Sequence, residues 1–301
     1  MGTIFRITVY ASNAEVAEKA ASEAFDRIEK LEAALSFYQD ESELNQVSDR
    51  ADDQVVNVSP DLFRVLESAL QWSRKTGGAF DCTVRPLITM WQDRGRQGRL
   101  PTPKEIREVK RIVGFNKVLL NPRLKSVRLE SHGMQLDLGG IAKGYAADEA
   151  FRVLFEYGLT RILIDAGGDL LAGTPPPGEK GWLVTLENLQ EGNSRLYLSN
   201  SAIATSGDTY RYFEIDGNRY SHIVNPATGM GMTDHRQVTV LARDGQSADA
   251  LATSLSVMDI QQGLQLVESL DDIEVLIRLS GSGGPGPKSQ NVSSSGFPAL
   301  F

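Results

Sequence analysis

The sequence predicts an α+β fold, and three observations carry that prediction. Long amphipathic helical periods occur in the first 76 residues and again near residues 143–158. Short strand patterns recur along the chain. The two do not alternate in a βαβ rhythm, which argues against a doubly wound sheet.

The elements follow in order. Residues 3–10 alternate as a strand. "SNAEVAEKAASEAFDRIEKLEAAL" opens with Ser12 and Glu15 in capping-box spacing, and Ala17, Ala20, Ala24, Ile28, Leu31 and Leu35 form its buried stripe. "VVNV" reads as a short strand. The next helix takes Ser59 as N-cap and Pro60 in its first turn, and it stops at Gly77-Gly78. Residues 91–116 are polar and charged, and read as a surface connection with a short helix. "KGYAADEAFRVLFEYG" is a helix closed by Gly158. "RILIDA", "WLVTLEN", "QVTVLA" and "IEVLIRLS" are strands. The length suits one large domain or two smaller ones. Residues 281–301, rich in Gly, Pro and Ser, are expected to be a flexible tail.

Composition narrows the function. The 301 residues are 41% hydrophobic and 23% charged, as in a soluble globular enzyme. The net charge of -8 gives no bulk attraction for nucleic acid or anionic membrane, so a phosphate ligand needs a local site. The single cysteine, Cys82, excludes an internal disulfide and reads as a buried, inert thiol. No stretch approaches the roughly 18 apolar residues of a membrane span. Met1 leads almost directly into a strand, so the expectation is a cytosolic protein or one read without its leader.

Glycines cluster in "LDLGGIAKGYAAD", "DAGGDLLAG" and "ATSGDTYRYF". Such clusters let a backbone approach a ligand, and free amides at a helix start suit phosphate. Lys143 follows the first pair at a helix entry. It is either an anion contact or a solvated lysine, and the spacing is not that of a P-loop. "DAGGD" is either a metal loop or a tight turn. "TSGD" reads by default as a hydroxyl turn or cap, with Thr205, Ser206 and Gly207 as its phosphate-binding alternative. His222 is either structural or a proton carrier, since three histidines without close spacing exclude a zinc cluster. Asp249 and Thr253 stand four apart in "QSADALATSLSV", on one helix face. Ser247 as N-cap would make Asp249 a first-turn charge, which leaves Thr253 unexplained. Oxygen donors with few carboxylates suit Mg²⁺ beside phosphates.

Seven stretches together resemble the ApbE family of flavin transferases: "MGTIFRITVY", "SFYQDESELNQVS", "GGAFDCTVRPLITMW", "LDLGGIAKGYAAD", "ILIDAGGDLLAG", "AIATSGDTYRYFEIDGNRYSHIVNPATG" and "ADALATSLSVM". They keep the family's order and span residues 1 to about 280. The resemblance implies a single domain over residues 1–280, with mixed sheets, flanking helices and a cofactor site in a cleft between two halves. It implies an enzyme that uses FAD as substrate and Mg²⁺ on the diphosphate. FMN passes to a Thr or Ser hydroxyl of an acceptor flavoprotein subunit, and AMP leaves. Its metal ligands fall on Asp249, Thr253 and the Gly140 carbonyl. Lys143, Met1, Tyr38, Ala79, Phe80, Asp81 and Ile223 fall at cofactor-contacting positions. His222 matches the histidine expected to act as base. Asn225 departs from the Asp often found there. By the same analogy the protein would work at the extracytoplasmic face of a bacterial inner membrane. The resemblance leaves two other readings open: an FAD pyrophosphatase, with water as acceptor, and a non-catalytic FAD-binding protein.

Overall fold

The alternating runs assemble into a seven-stranded antiparallel sheet, with helices packed on one face. The computed structural model describes residues 2–50, 54–186, 194–207, 212–279 and 290–301. In chain order it begins with β1 (Phe5–Val9), α1 (Ala14–Leu35), α2 (Glu43–Arg50), β2 (Val56–Asn57), α3 (Pro60–Lys75), α4 (Arg85–Arg96) and α5 (Pro103–Lys110). A 3-10 turn, Phe115–Lys117, leads to β3 (Val118–Asn121), β4 (Ser126–Leu129) and α6 (Ala142–Glu156). Next come β5 (Ile162–Ala166), β6 (Asp169–Ala172), β7 (Trp182–Thr185), β8 (Arg195–Leu198) and β9 (Ser201–Gly207). The remainder holds β10 (Tyr212–Ile215), β11 (Asn218–Ser221), β12 (Val224–Asn225), β13 (Met230–Gly231), β14 (Arg236–Ala242), α7 (Gly245–Leu255), α8 (Ile260–Glu268), β15 (Glu274–Leu279) and β16 (Gln290–Ser293).

The large sheet runs β1-β5-β6-β9-β14-β15-β16. β2, β4 and β3 form a separate sheet, and β7–β8, β10–β11 and β12–β13 are two-stranded. The main core lies between the large sheet and α1, α3, α6 and α7, and includes Leu31, Leu66, Ile141, Ile164, Val240 and Leu251. Each fully buried Leu or Ile here contributes about 1.5–3 kcal/mol over an exposed one. Trp182, Leu196 and Leu198 build a second core on β7 and β8. Leu87, Trp91, Tyr220 and Val224 build a third, which joins α4 to β11 and β12. Among the described residues, no helix is long and apolar enough to cross a membrane.

Several local expectations need correction. The N-cap of α1 is Asn13, whose side chain accepts from Val16 N, so the Ser12 capping box does not form. Ser59 does cap α3, with Pro60 at its start. The stretch 91–116 is more ordered than its charge suggests. It contains the end of α4, with Trp91 fully buried, and α5, which Thr102 and Glu105 open as a capping box. The flexible tail expected over 281–301 is contradicted at 290–301. β16 pairs with β15, Ser294 Oγ accepts from Val275 N at 2.9 Å, and Phe297 and Leu300 pack on the second core. A few apolar residues among many Ser and Gly suffice because an open sheet edge offers them ready partners. Residues 281–289 lie outside the described residues.

The helix that carries Asp249 and Thr253 is held at both ends. At its start Asp244 is the N-cap and accepts from Ser247 N. Asp148, on α6, accepts from Gly245 N at 2.7 Å and Gln246 N at 2.9 Å. At its end the Arg236 guanidinium, from β14, donates to Leu255 O at 3.3 Å and Met258 O at 2.7 Å. Burial, assisted by the neighbouring Asp244 and Glu149 charges, pushes the Asp148 carboxyl up to about 7 against the pull of its two amide bonds. A carboxyl raised in the fold binds its proton more tightly there than in the unfolded chain. Its contribution to stability is present at low pH and is lost as pH rises from the ordinary carboxylate range through about 7. Asp148→Asn removes that titration. The variant's melting temperature relative to the parent therefore rises between about pH 5 and about pH 8, and a pH-independent difference contradicts the assignment.

Candidate active site

Glycine-bearing segments and residues of α4, α6 and α7 converge on a cleft of about 440 Å³. Its wall includes Tyr38, Ala79, Phe80, Asp81, Gly140, Lys143, His222, Ile223, Asp249 and Thr253. These are ten residues singled out in the sequence, drawn from segments as much as 215 positions apart. Met1 lies outside the described residues.

Two close approaches shape the floor. α6 crosses α7 at glycine: a Cβ on Gly144 would sit 2.0 Å from Gly245 O. That contact brings Gly144 N within 3.2 Å of Asp249 Oδ2. At Gly140 a Cβ would lie 2.7 Å from Thr253 Oγ1 and 3.1 Å from Thr253 Cβ. The glycine turn and the Thr253 side chain are therefore pressed together, and even with the threonine rotated its Cβ would have to give by a few tenths of an ångström. Because Asp244 and not Ser247 caps α7, Asp249 lies beyond the first turn. The helix-start explanation of its charge fails.

Asp249 is almost fully buried and charged neighbours surround it. Lys143 Nζ lies 2.9 Å from Asp249 Oδ1 and 3.0 Å from Asp169 Oδ2. Burial drives the Asp249 carboxyl up, Lys143 opposes this, and Asp169 adds to it. Burial alone would lower Lys143, but Asp249 and Asp169 outweigh it and hold the ammonium above its ordinary range. Lys143 is thus a fixed cation in the cleft, not a solvated surface lysine.

Asp169 is the main residue that sequence reasoning missed. "DAGGD" resolves into the turn between β5 and β6, with Gly167 and Gly168 at φ 70° and 98°. Asp165 accepts from Gly168 N at 2.8 Å and serves the turn. Asp169 points to Lys143 and also accepts from Thr205 N at 3.1 Å. Symmetry of sequence hid this asymmetry of role. "TSG" is likewise not a hydroxyl turn. Thr205, Ser206 and Gly207 end β9, paired with β14, and line the cleft.

Other acids build the scaffold. Asp81 accepts from Thr83 N, Thr83 Oγ1 and Phe115 N at 2.8, 2.6 and 3.0 Å. Its carboxylate is committed to holding the Ala79–Asp81 turn, and burial raises it above the ordinary range. Asp137 accepts from Gly139 N at 2.8 Å and fixes the approach to Gly140. Cys82 is fully buried, and burial pushes its thiol well up, as an inert thiol requires. Asn225 accepts from Ala227 N at 2.9 Å and donates to Val257 O at 3.4 Å. The second bond needs an amide, which an Asp could not supply when ionised. At the mouth, Tyr38 is 61% exposed and leans on Phe37, ring centroids 3.9 Å apart.

Among the described residues, no cluster of three or more His, Cys, Asp or Glu side chains could hold a metal ion. A cation here would use one carboxylate, a hydroxyl and a carbonyl. Such hard oxygen donors beside a fixed ammonium make a cleft suited to a phosphate-bearing ligand and a divalent cation.

Comparison with known proteins agrees in extent and in fold. The ApbE family profile matches residues 1–277. The FAD:protein FMN transferase of Treponema pallidum is 30% identical, over 92% of this chain and 82% of that protein. That of Vibrio cholerae is 30% identical, over 92% and 84%. The crystal structure of the Pseudomonas stutzeri flavinyl transferase ApbE, in apo form, superposes with a TM-score of 0.86 at 26% identity, covering 98% of this chain and 92% of that one. The chain belongs to the ApbE family.

The Gly140–Thr253 contact is open to a direct test. Gly140→Ala should destabilise the protein by about 1–3 kcal/mol through overpacking. Thr253→Ala in the same chain should recover part of that loss. Thermal melts of the single and double variants check both, and a Gly140→Ala chain that melts like the parent refutes the contact.

Proposed function

We propose that this cleft transfers FMN from FAD to an acceptor hydroxyl using a Mg²⁺ ion held by Asp249, Thr253 and the Gly140 carbonyl. The chain is a transferase of the FAD:protein FMN type. The observation that carries the site assignment is the Asp249–Thr253–Gly140 convergence beside Lys143. Asp249 and Thr253 share one face of α7, and Thr253 meets Gly140 where a Cβ would not fit. The donor set is all oxygen with a single carboxylate, which fits Mg²⁺ bound jointly with phosphates. When bound, the ion would neutralise charge that builds on the diphosphate.

The chain's own residues supply the rest. The Lys143 ammonium, fixed by Asp169, offers an anion contact for FAD phosphate oxygens. Tyr38 offers a ring face at the mouth, and Phe80 an apolar wall. His222 accepts the proton of the incoming Thr or Ser hydroxyl. The hydroxyl oxygen attacks the phosphorus on the FMN side of the diphosphate. The bond to the bridging oxygen breaks, AMP leaves with that oxygen, and FMN remains on the acceptor as a phosphoester. The acceptor is a flavoprotein that presents Thr or Ser.

Mass spectrometry of candidate acceptors co-expressed with this chain tests the reading. An FMN-sized mass gain supports transfer, whereas release of free FMN without labelling would make the chain a hydrolase. Asp249→Asn should abolish both the mass gain and Mg²⁺-dependent FAD binding, and retention of either removes Asp249 from the metal site. His222→Ala should slow transfer by about 10²–10⁴-fold while FAD affinity changes little. An equal loss in rate and affinity would make His222 a binding residue.

A further inference from the structure

Charge is unevenly distributed along this acidic chain. Residues 85–128 carry twelve Lys and Arg against three Asp and Glu, a net +9, while the rest of the chain carries -17. Much of the positive charge is displayed on α4, α5 and the residues that follow them. Arg96, Arg99, Lys104, Arg107 and Arg111 are all exposed. Lys104 and Arg107 follow helical spacing along one side of α5, and Arg111, its C-cap, continues that line. Ile106 and Val109, on the other side, pack into the third core.

This basic face adjoins the His222 side of the cleft. Arg85, Ile88 and Gln92 of α4 line the cleft directly. Trp91 Nε1 donates to Gly229 O at 2.6 Å, and Lys110 Nζ donates to Ala227 O. Ile215, Tyr220 and Val224, from β10, β11 and β12, share the third core with Leu87 and Trp91. His222 lies between β11 and β12. The basic helices and the histidine therefore ride on one small packed unit.

We propose that the exposed basic face of α4 and α5 docks an acidic surface of the acceptor protein and presents its hydroxyl to His222. This rests on the transfer reading above, which requires a macromolecular substrate beside His222. Opposite charge at the rim speeds encounter and fixes orientation. The strongly negative remainder of the chain disfavours an extended polyanion or a flat anionic membrane, because these would also face its acidic surface. A protein with a local acidic patch meets only the basic face within a Debye length of about 8–10 Å.

The test uses an acceptor that gains FMN mass from the parent chain. Lys104→Glu, Arg107→Glu and Arg111→Gln are combined in one variant, and none of these residues lines the cleft. At low salt the variant's kcat/KM for the acceptor should fall by about tenfold or more, carried by KM. At about 0.5 M NaCl the two enzymes should agree within about twofold. FAD affinity should match the parent, which also shows that the variant is folded. Parent-like kcat/KM at low salt overturns the docking face, as does a loss confined to kcat. So does a variant that keeps parent kinetics but loses sedimentation with phosphatidylglycerol vesicles, which would reassign the face to lipid. If no acceptor gains FMN from the parent chain, the transfer reading fails and this proposal fails with it.

Discussion

The site depends on one buried ion pair, Lys143 with Asp249, formed where α6 crosses α7. Taking two charges out of water costs several kcal/mol each, and only good geometry and further partners offset it. Both are present. Asp249 also receives the Gly144 amide, and Lys143 has a second carboxylate in Asp169. The crossing itself is set by Gly144 and Gly245, whose backbones touch where any side chain would intrude. Sequence, packing and electrostatics thus meet at one point. Glycine permits the approach, the approach creates the pair, and the pair holds a cation in the cleft.

Around that point the fold spends its acids on position more than on chemistry. Asp148 and Asp244 fix the start of α7, and Arg236 fixes its end. Asp137 shapes the turn before Gly140, and Asp81 shapes the turn that carries Ala79 and Phe80. Each aspartate accepts from backbone amides that a tight turn or helix start would otherwise leave unsatisfied. The outcome is a cleft whose oxygen donors are preset by neighbouring backbone, which phosphoryl transfer exploits because positioning supplies much of its catalysis.

Most helices with strong periods were legible in the sequence, as was the α+β class. α1, α3 and α6 announce themselves through apolar stripes, Pro60 and Gly158. The short strands β8 and β10 to β13 were less legible, because two to four residues in a hairpin leave almost no period to read. Charge misled at α4, where the arginines after Trp91 suggested surface although Trp91 itself is buried. Composition misled at β16, where Ser and Gly masked an edge strand. At the site, Asp249 and Thr253 were visible from their spacing, and Lys143 from its place after a glycine pair. Asp169 was not, because Asp165 and Asp169 look alike until the β5–β6 turn assigns one to the backbone and the other to Lys143.

A double-mutant cycle on Lys143 and Asp249 measures the central interaction most directly. Lys143→Met and Asp249→Asn, singly and together, are compared by chemical denaturation. Lys143→Met should leave Asp249 buried with only the Gly144 amide, and Asp249→Asn should leave Lys143 with Asp169 alone, so that both lose stability and the double variant loses less than the sum, with a coupling of at least about 1 kcal/mol. Strictly additive losses would contradict it, because the two groups would then be neighbours in the cleft without holding one another.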